Sequence, residues 1–124
     1  MVYETYLTKD LKSLKKILWK YTSKYIVSRD KNVCFTCGNW GNMAGHFVHS
    51  GNSFNLSLDT DERNLNCQCA RCNLYLSGNL VVYAINLQRK YGYQIVEELQ
   101  DLKHKLYKPT REEVADKIIY FKSK

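Results

Sequence analysis

Four cysteines stand in two pairs of the form Cys-x-x-Cys, Cys34/Cys37 and Cys69/Cys72, with 31 residues between the pairs. Each pair is a knuckle short enough to place two sulfurs on one side of a metal. Four thiolates so arranged match a tetrahedral structural zinc site. Two disulfides, or buried free thiols, are the competing readings, and neither accounts for the repeated two-residue spacing. A fifth cysteine, Cys67, lies outside both pairs and is not expected to be a ligand. Between and just after the pairs stand His46, Asn64 and Asn73. An imidazole is the natural proton acceptor near neutral pH. An amide oxygen is a hard donor of the kind Mg²⁺ takes. A partly buried histidine and two turn or helix-end asparagines are the plainer readings of the same residues.

This order of His, Asn and Asn around four cysteines resembles the HNH nucleases in their His-Asn-Asn form, members of the ββα-metal (His-Me finger) superfamily. A longer string is shared with a narrower group. Tyr25-Ile26 and Arg29-Asp30 lead into Cys34-x-x-Cys37-Gly38. Ala44-Gly45-His46-Phe47 follows, then Asn64-x-x-x-Gln68-Cys69-x-x-Cys72-Asn73, Leu76-Ser77-Gly78-Asn79 and a Tyr91-Gly92 step. Together these look like the NinG/Rap family of phage recombination endonucleases, over about residues 20–105. The resemblance implies His46 as the general base and Asn73 as a ligand of Mg²⁺ or Mn²⁺. It implies that Asn64 holds the His46 strand through backbone hydrogen bonds. It also implies branched recombination intermediates, such as Holliday junctions, as substrates in the cytoplasm of a phage's bacterial host. Two departures stand out. Many HNH nucleases carry an acidic metal ligand directly before the catalytic His, where this chain has Gly45; His49, Asp59 and Asp61 are conceivable helpers. A Ser-Arg-Gly step usually follows Gly-His-Phe in the family, and here Ser50 occupies the place of that Arg. Arg63 or Arg71 is left to hold phosphate.

Length and composition fit one soluble domain: 124 residues, 44% hydrophobic and 25% charged. No stretch approaches the roughly 20 apolar residues of a membrane span, and the first residues, MVYETYLTKD, lack the apolar run of a signal peptide. A reducing cytoplasm favours metal over disulfides. The formal net charge is +7, unevenly spread: residues 1–33 carry eight Lys/Arg against three Asp/Glu, residues 34–79 two against three, and residues 80–124 nine against six. The nearly neutral motif is thus flanked by basic segments suited to a polyanion. Surplus lysines that only aid solubility are the alternative.

The elements that must position these residues follow from periodicity. Residues 10–28 read as an amphipathic helix through Leu11, Leu14, Leu18, Tyr21 and Tyr25, capped by Asp10 or Thr8. Lys12, Lys15, Lys16, Lys20 and Lys24 take up much of the rest of its circumference. A solvated face is the plainer reading; as a group, Lys12, Lys16 and Lys20 foremost, they form a candidate phosphate-tracking stripe. Residues 38–45 read as loop, 46–49 as a strand, and 53–58, where Phe54, Leu56 and Leu58 alternate with polar residues, as its hairpin partner after a turn at Gly51-Asn52. A short helix is expected over 70–77, ended by a left-handed Gly78 with Asn79 capping the next. Helices then follow over 80–91 and from Ile95 to Leu106, and a capping box at Thr110 and Glu113 opens a last one. The predicted architecture is α+β: a small ββα-metal core at 34–79 with a four-cysteine zinc site, a basic N-terminal helix in 1–33, C-terminal helices in 80–124, and about four peripheral helices in all.

The function expected is metal-dependent hydrolysis of DNA, with structural zinc and catalytic Mg²⁺ or Mn²⁺. Symmetric cutting of a junction would suit a homodimer. The rivals are an HNH nuclease acting on ordinary duplex and a non-catalytic zinc module that only binds DNA.

Overall fold

The computed structural model describes residues 2–51, 54–105 and 108–124. The turn at Asn52, the start of the expected strand at Ser53, and Leu106 fall outside the described residues. Helices α1 (Val2–Leu7) and α2 (Leu11–Arg29) precede strand β1 (Met43–His46), a one-turn helix α3 (Leu56–Asp59) and strand β2 (Leu65–Gln68). A π-helical turn (Arg71–Tyr75) and helices α4 (Leu80–Tyr91), α5 (Ile95–His104) and α6 (Arg111–Lys122) complete the chain. The α+β class is as expected. Among the described residues, five helices longer than one turn stand beside the small sheet where about four were expected; the added one is α1, whose six residues offer too few periodic positions to be read.

α2 forms where its apolar spacing places it. Asp10 is its cap, accepting from the Ser13 amide at 2.8 Å, while the Thr8 hydroxyl turns back to the Thr5 carbonyl. Leu14, Leu18, Thr22 and Ile26 recur at intervals of four and are buried. The capping box at Thr110 and Glu113 is present and opens α6. α6 lies along α2, and Leu14, Leu18, Val114, Ile118 and Phe121 form one core with Tyr6 and Leu56. A second core, under α4 and α5, gathers Val48, Leu58, Tyr83, Leu87, Ile95 and Leu99.

The hairpin differs from expectation at both strands. β1 ends at His46 instead of beginning there, and pairs antiparallel with β2, Met43 opposite Gln68 and His46 opposite Leu65. The alternating Phe54, Leu56 and Leu58 do not form a strand. Asn55 caps α3 there by accepting from the Leu58 amide at 3.0 Å. Leu56 and Leu58 lie about 200° apart around the helix, so Leu56 enters the first core and Leu58 the second. Two cores on opposite sides mimic the period of a strand with one buried face.

The sheet is fixed to α2 by charge as well as packing. Arg29 donates to the carbonyls of Glu62 (2.9 Å) and Leu65 (2.8 Å) and to Asn66 Oδ1 (3.2 Å). It also pairs with Asp30 at 2.7 Å, and Asp30 in turn accepts from the Cys67 amide at 2.8 Å. Hydrogen bonds to charged groups contribute more than neutral ones. Arg29→Ala is therefore expected to cost about 1.5–3 kcal/mol in a denaturant melt, whereas an unchanged midpoint would show that the apolar contact of Ile26 with Ala44 and Leu65 is sufficient.

Candidate metal centre and active site

The two knuckles bring the four paired sulfurs together. The ligand atoms of Cys34, Cys37, Cys69 and Cys72 all lie within 4.8 Å of one another, a cluster able to hold a zinc ion. Local backbone makes each knuckle: the Cys34 amide donates to the Asn39 carbonyl (2.7 Å) and Gly38, at φ +80°, to the Cys34 carbonyl (2.9 Å). The Asn73 amide caps the Cys69 carbonyl at 3.0 Å. Around the sulfurs, the Thr36 hydroxyl lies 3.3 Å from Cys34 Sγ and Asn79 Nδ2 3.7 Å from Cys72 Sγ. Asn79 makes no side-chain cap for α4, contrary to expectation; its amide faces the cluster instead. Burial raises the Cys34 thiol, but Thr36 and the backbone amides of Cys69, Cys37 and Thr36 outweigh it and bring it down to about 6. At Cys37 the Asn39 amide lowers the thiol, but burial and the neighbouring Cys34, Cys69 and Cys72 thiols together outweigh it and push it up to about 12. Four thiolates at this spacing repel until a cation joins them. Cys67 is buried outside the cluster, and burial, then Asp30, push its thiol up to about 11.

His46 ends β1 on the side facing α2. Its ring stacks on Trp19 with centroids 4.8 Å apart and planes at 18°, and the His49 ring is 5.1 Å away. Burial, then the charge of His49, lower its pKa to about 4, so the imidazole is neutral at pH 7. It lines a pocket of about 270 Å³ with Lys15, Trp19, His49, Phe54 and Asp59 among the walls. Lys15 Nζ sits 4.7 Å above the Phe54 ring. Asp59 accepts from the Ser50 hydroxyl at 3.0 Å, and its burial raises its pKa. His49 and Asp59 thus reach the His46 pocket, whereas Asp61 pairs with Arg63.

Asn64 is fully buried and holds the chain immediately beyond His46. Its Oδ1 accepts from the Val48 amide (2.8 Å), its Nδ2 donates to the Val48 carbonyl (2.9 Å) and the Leu58 carbonyl (3.3 Å), and its own carbonyl accepts from the Phe47 amide (3.0 Å). Asn73 lies in the π-helical turn, with Nδ2 3.7 Å from Met43 Sδ. Side chains alternate along a strand, so Met43 and His46 belong to opposite faces of the hairpin. His46 faces α2, and Asn73 covers the other side. Among the described residues, Asn73 is not part of the His46 pocket.

The basic residues divide. Lys12, Lys16, Lys20 and Arg71 are exposed. Arg63 is held by Asp61 at 2.9 Å and Glu98 at 2.6 Å, so two carboxylates already occupy its guanidinium. Neither Trp19 nor Tyr83 was expected at the site from the sequence, and Lys15 was expected only as one of the lysines along α2. Tyr83 reaches from α4 to donate to the Gly45 carbonyl at 2.7 Å and accepts from Asn66 at 3.1 Å. An aromatic one turn from two lysines was the available signal for Trp19; Tyr83 offered none beyond its place in an apolar run.

A small hairpin between helices, flanked by four clustered cysteines able to hold a metal ion, defines an α+β protein. A family model, described as the bacteriophage lambda NinG protein, matches residues 4–124, and the chain belongs to this NinG family. Over 93 residues it is 36% identical to "Protein ninG" of Salmonella phage P22, covering 72% of this chain and 44% of that protein. It is 34% identical to the protein of the same name from Escherichia phage 933W (72% and 45% covered) and 33% identical to that of Escherichia phage lambda (72% and 44%). The matched region is thus less than half the length of these curated relatives. No solved structure matches. No helix among the described residues is long and apolar enough to cross a membrane.

Proposed function

We propose that this chain is a metal-dependent DNA endonuclease of HNH type that acts on branched recombination intermediates, four-way junctions among them, inside a bacterial host. The observation that carries this reading is His46: a neutral imidazole beside Lys15, in a pocket open to ligand, on a strand end that Asn64 holds by its side chain and backbone. A plain zinc scaffold has no need of such a group.

In this reading Lys15 attracts a phosphate to the pocket mouth, and His46 accepts a proton from the attacking water. Stacking on Trp19 and the Asn64 clamp limit the angles the ring can take. Pre-set geometry of this kind accounts for much of enzymatic rate. A bound Mg²⁺ or Mn²⁺ would supply stabilisation of charge on phosphate and leaving oxygen. Asn73, outside the His46 pocket, would hold that ion through its amide oxygen, the atom that Met43 does not engage. Zinc in the four-cysteine cluster would be structural.

The test is digestion of a labelled four-way junction, a flap and a linear duplex with Mg²⁺. Preferential cutting of the junction supports the proposal. Equal cutting of the duplex would favour a general HNH nuclease, and binding without cutting under any divalent metal would favour a zinc module. Charge reversal at Lys12, Lys16 and Lys20 together is expected to weaken DNA binding and lower the slope of log K against log salt by about 2–3. An unchanged slope would move DNA away from α2.

A further inference from the structure

Among the described residues, a single buried side-chain oxygen or nitrogen lacks a hydrogen-bond partner: Oε1 of Gln68, in a residue with no exposed surface. The direction of that amide is settled by its other end. Nε2 donates to the Gly78 carbonyl at 2.9 Å and to the Thr36 hydroxyl at 3.2 Å. A carbonyl only accepts, so the atom facing Gly78 is the nitrogen and the oxygen is turned toward Gly45. A Cβ on residue 45 would overlap Gln68 Oε1. Gly45 and Gln68 are therefore a matched pair: the missing side chain on one strand admits the amide oxygen from the other, one position before His46.

An acceptor buried without a donor is costly, and a positive species is what such an oxygen attracts. Strand alternation puts Gln68 on the same face of the hairpin as Met43, its cross-strand partner. That is the face against which the Asn73 amide rests. An uncharged amide oxygen is a hard donor suited to Mg²⁺ and Mn²⁺.

We infer that Gln68 Oε1 is a ligand of the divalent cation, bringing from β2 the oxygen that Gly45 does not provide, on the face Asn73 covers. The inference rests on the metal dependence proposed above. Its consequence is a site of neutral donors, which holds the cation weakly until phosphate adds its charge.

Addition of sub-stoichiometric Mn²⁺ to the isotope-labelled, zinc-loaded chain tests this by paramagnetic broadening. The Gln68 side-chain amide and the Gly45 backbone amide are expected to broaden first, together with the Asn73 side chain. In Gln68→Leu, Mn²⁺ affinity should fall by at least the roughly tenfold that loss of a supporting group costs. In Gln68→Glu, the added charge should tighten it; zinc content and spectral dispersion report the fold of both. Broadening at Asn73 that spares Gln68, or none anywhere at millimolar Mn²⁺, overturns the inference and leaves a bound water as the partner of Oε1. The wild-type spectrum alone decides this if neither variant folds. Broadening at Gln68 in a chain that cuts no DNA would sink the nuclease proposal and spare the ligand. Cutting with Mg²⁺ while Gln68 stays sharp would do the reverse.

Discussion

A chain carrying Cys34→Ser or Cys69→Ser is expected to lose its zinc and, with it, its fold. The hairpin between the knuckles rests on little apolar packing, with Ile26, Ala44 and Leu65 as its own small cluster. Whole-domain stabilities are about 5–15 kcal/mol, while structural zinc contributes about 10–16 kcal/mol in apparent terms at neutral pH. Loss of one thiolate therefore threatens the whole domain, and not the knuckle alone. Metal analysis and circular dichroism should show about one zinc per chain in the parent and an unfolded, metal-free variant. Cys67→Ser is the control: its sulfur lies outside the cluster, so metal content and fold should persist. A parent chain that stays folded without zinc in strong chelator would refute the assignment.

The second large effect is expected at His46. His46→Ala should leave junction binding intact and lower single-turnover cleavage by about 10²–10⁴-fold. The pH dependence is shifted from that of an ordinary histidine. With its pKa brought down to about 4, the imidazole is already unprotonated, and so free to accept a proton, across the neutral range. Cleavage should be nearly level from pH 6 to 8 and fall only in acid. Stability follows the same sign. The folded pKa lies below the ordinary value of about 6.5, so the folded chain binds fewer protons than the unfolded one between the two. This contribution is full above the ordinary value and is lost as pH falls through about 4. A His46→Ala chain that cuts as fast as the parent would remove the base from the mechanism.

What was legible in the sequence was whatever depends on neighbours along the chain. The cap at Asp10, the capping box at Thr110 and Glu113, the left-handed Gly78 and the spacing of the cysteine knuckles are local rules, and the structure follows them. Backbone hydrogen bonds from Asn64 were expected through family likeness, and it makes two with Val48. Long-range arrangement was not legible. Leu56 and Leu58 alternate as strand residues do, and only the presence of two cores reveals a helix. Trp19 against His46 and Tyr83 against Gly45 join residues 27 and 38 positions apart, and no local pattern reports such meetings. Arg63 reads as a free phosphate clamp until Glu98, from α5, is seen to occupy it.

The one-turn helix α3 has a consequence for cooperativity. Because consecutive apolar residues of a single turn are shared between the two cores, neither core has a boundary the chain could break alone. A disturbance under α6 reaches Leu56, moves the Asn55 cap, and shifts Leu58 and the Leu58 carbonyl that Asn64 holds. The strand end that carries His46 is thereby tied to α6, the last helix in the sequence. Substitutions among the last dozen residues, none of which lines the His46 pocket, are therefore expected to alter its shape through the shared core.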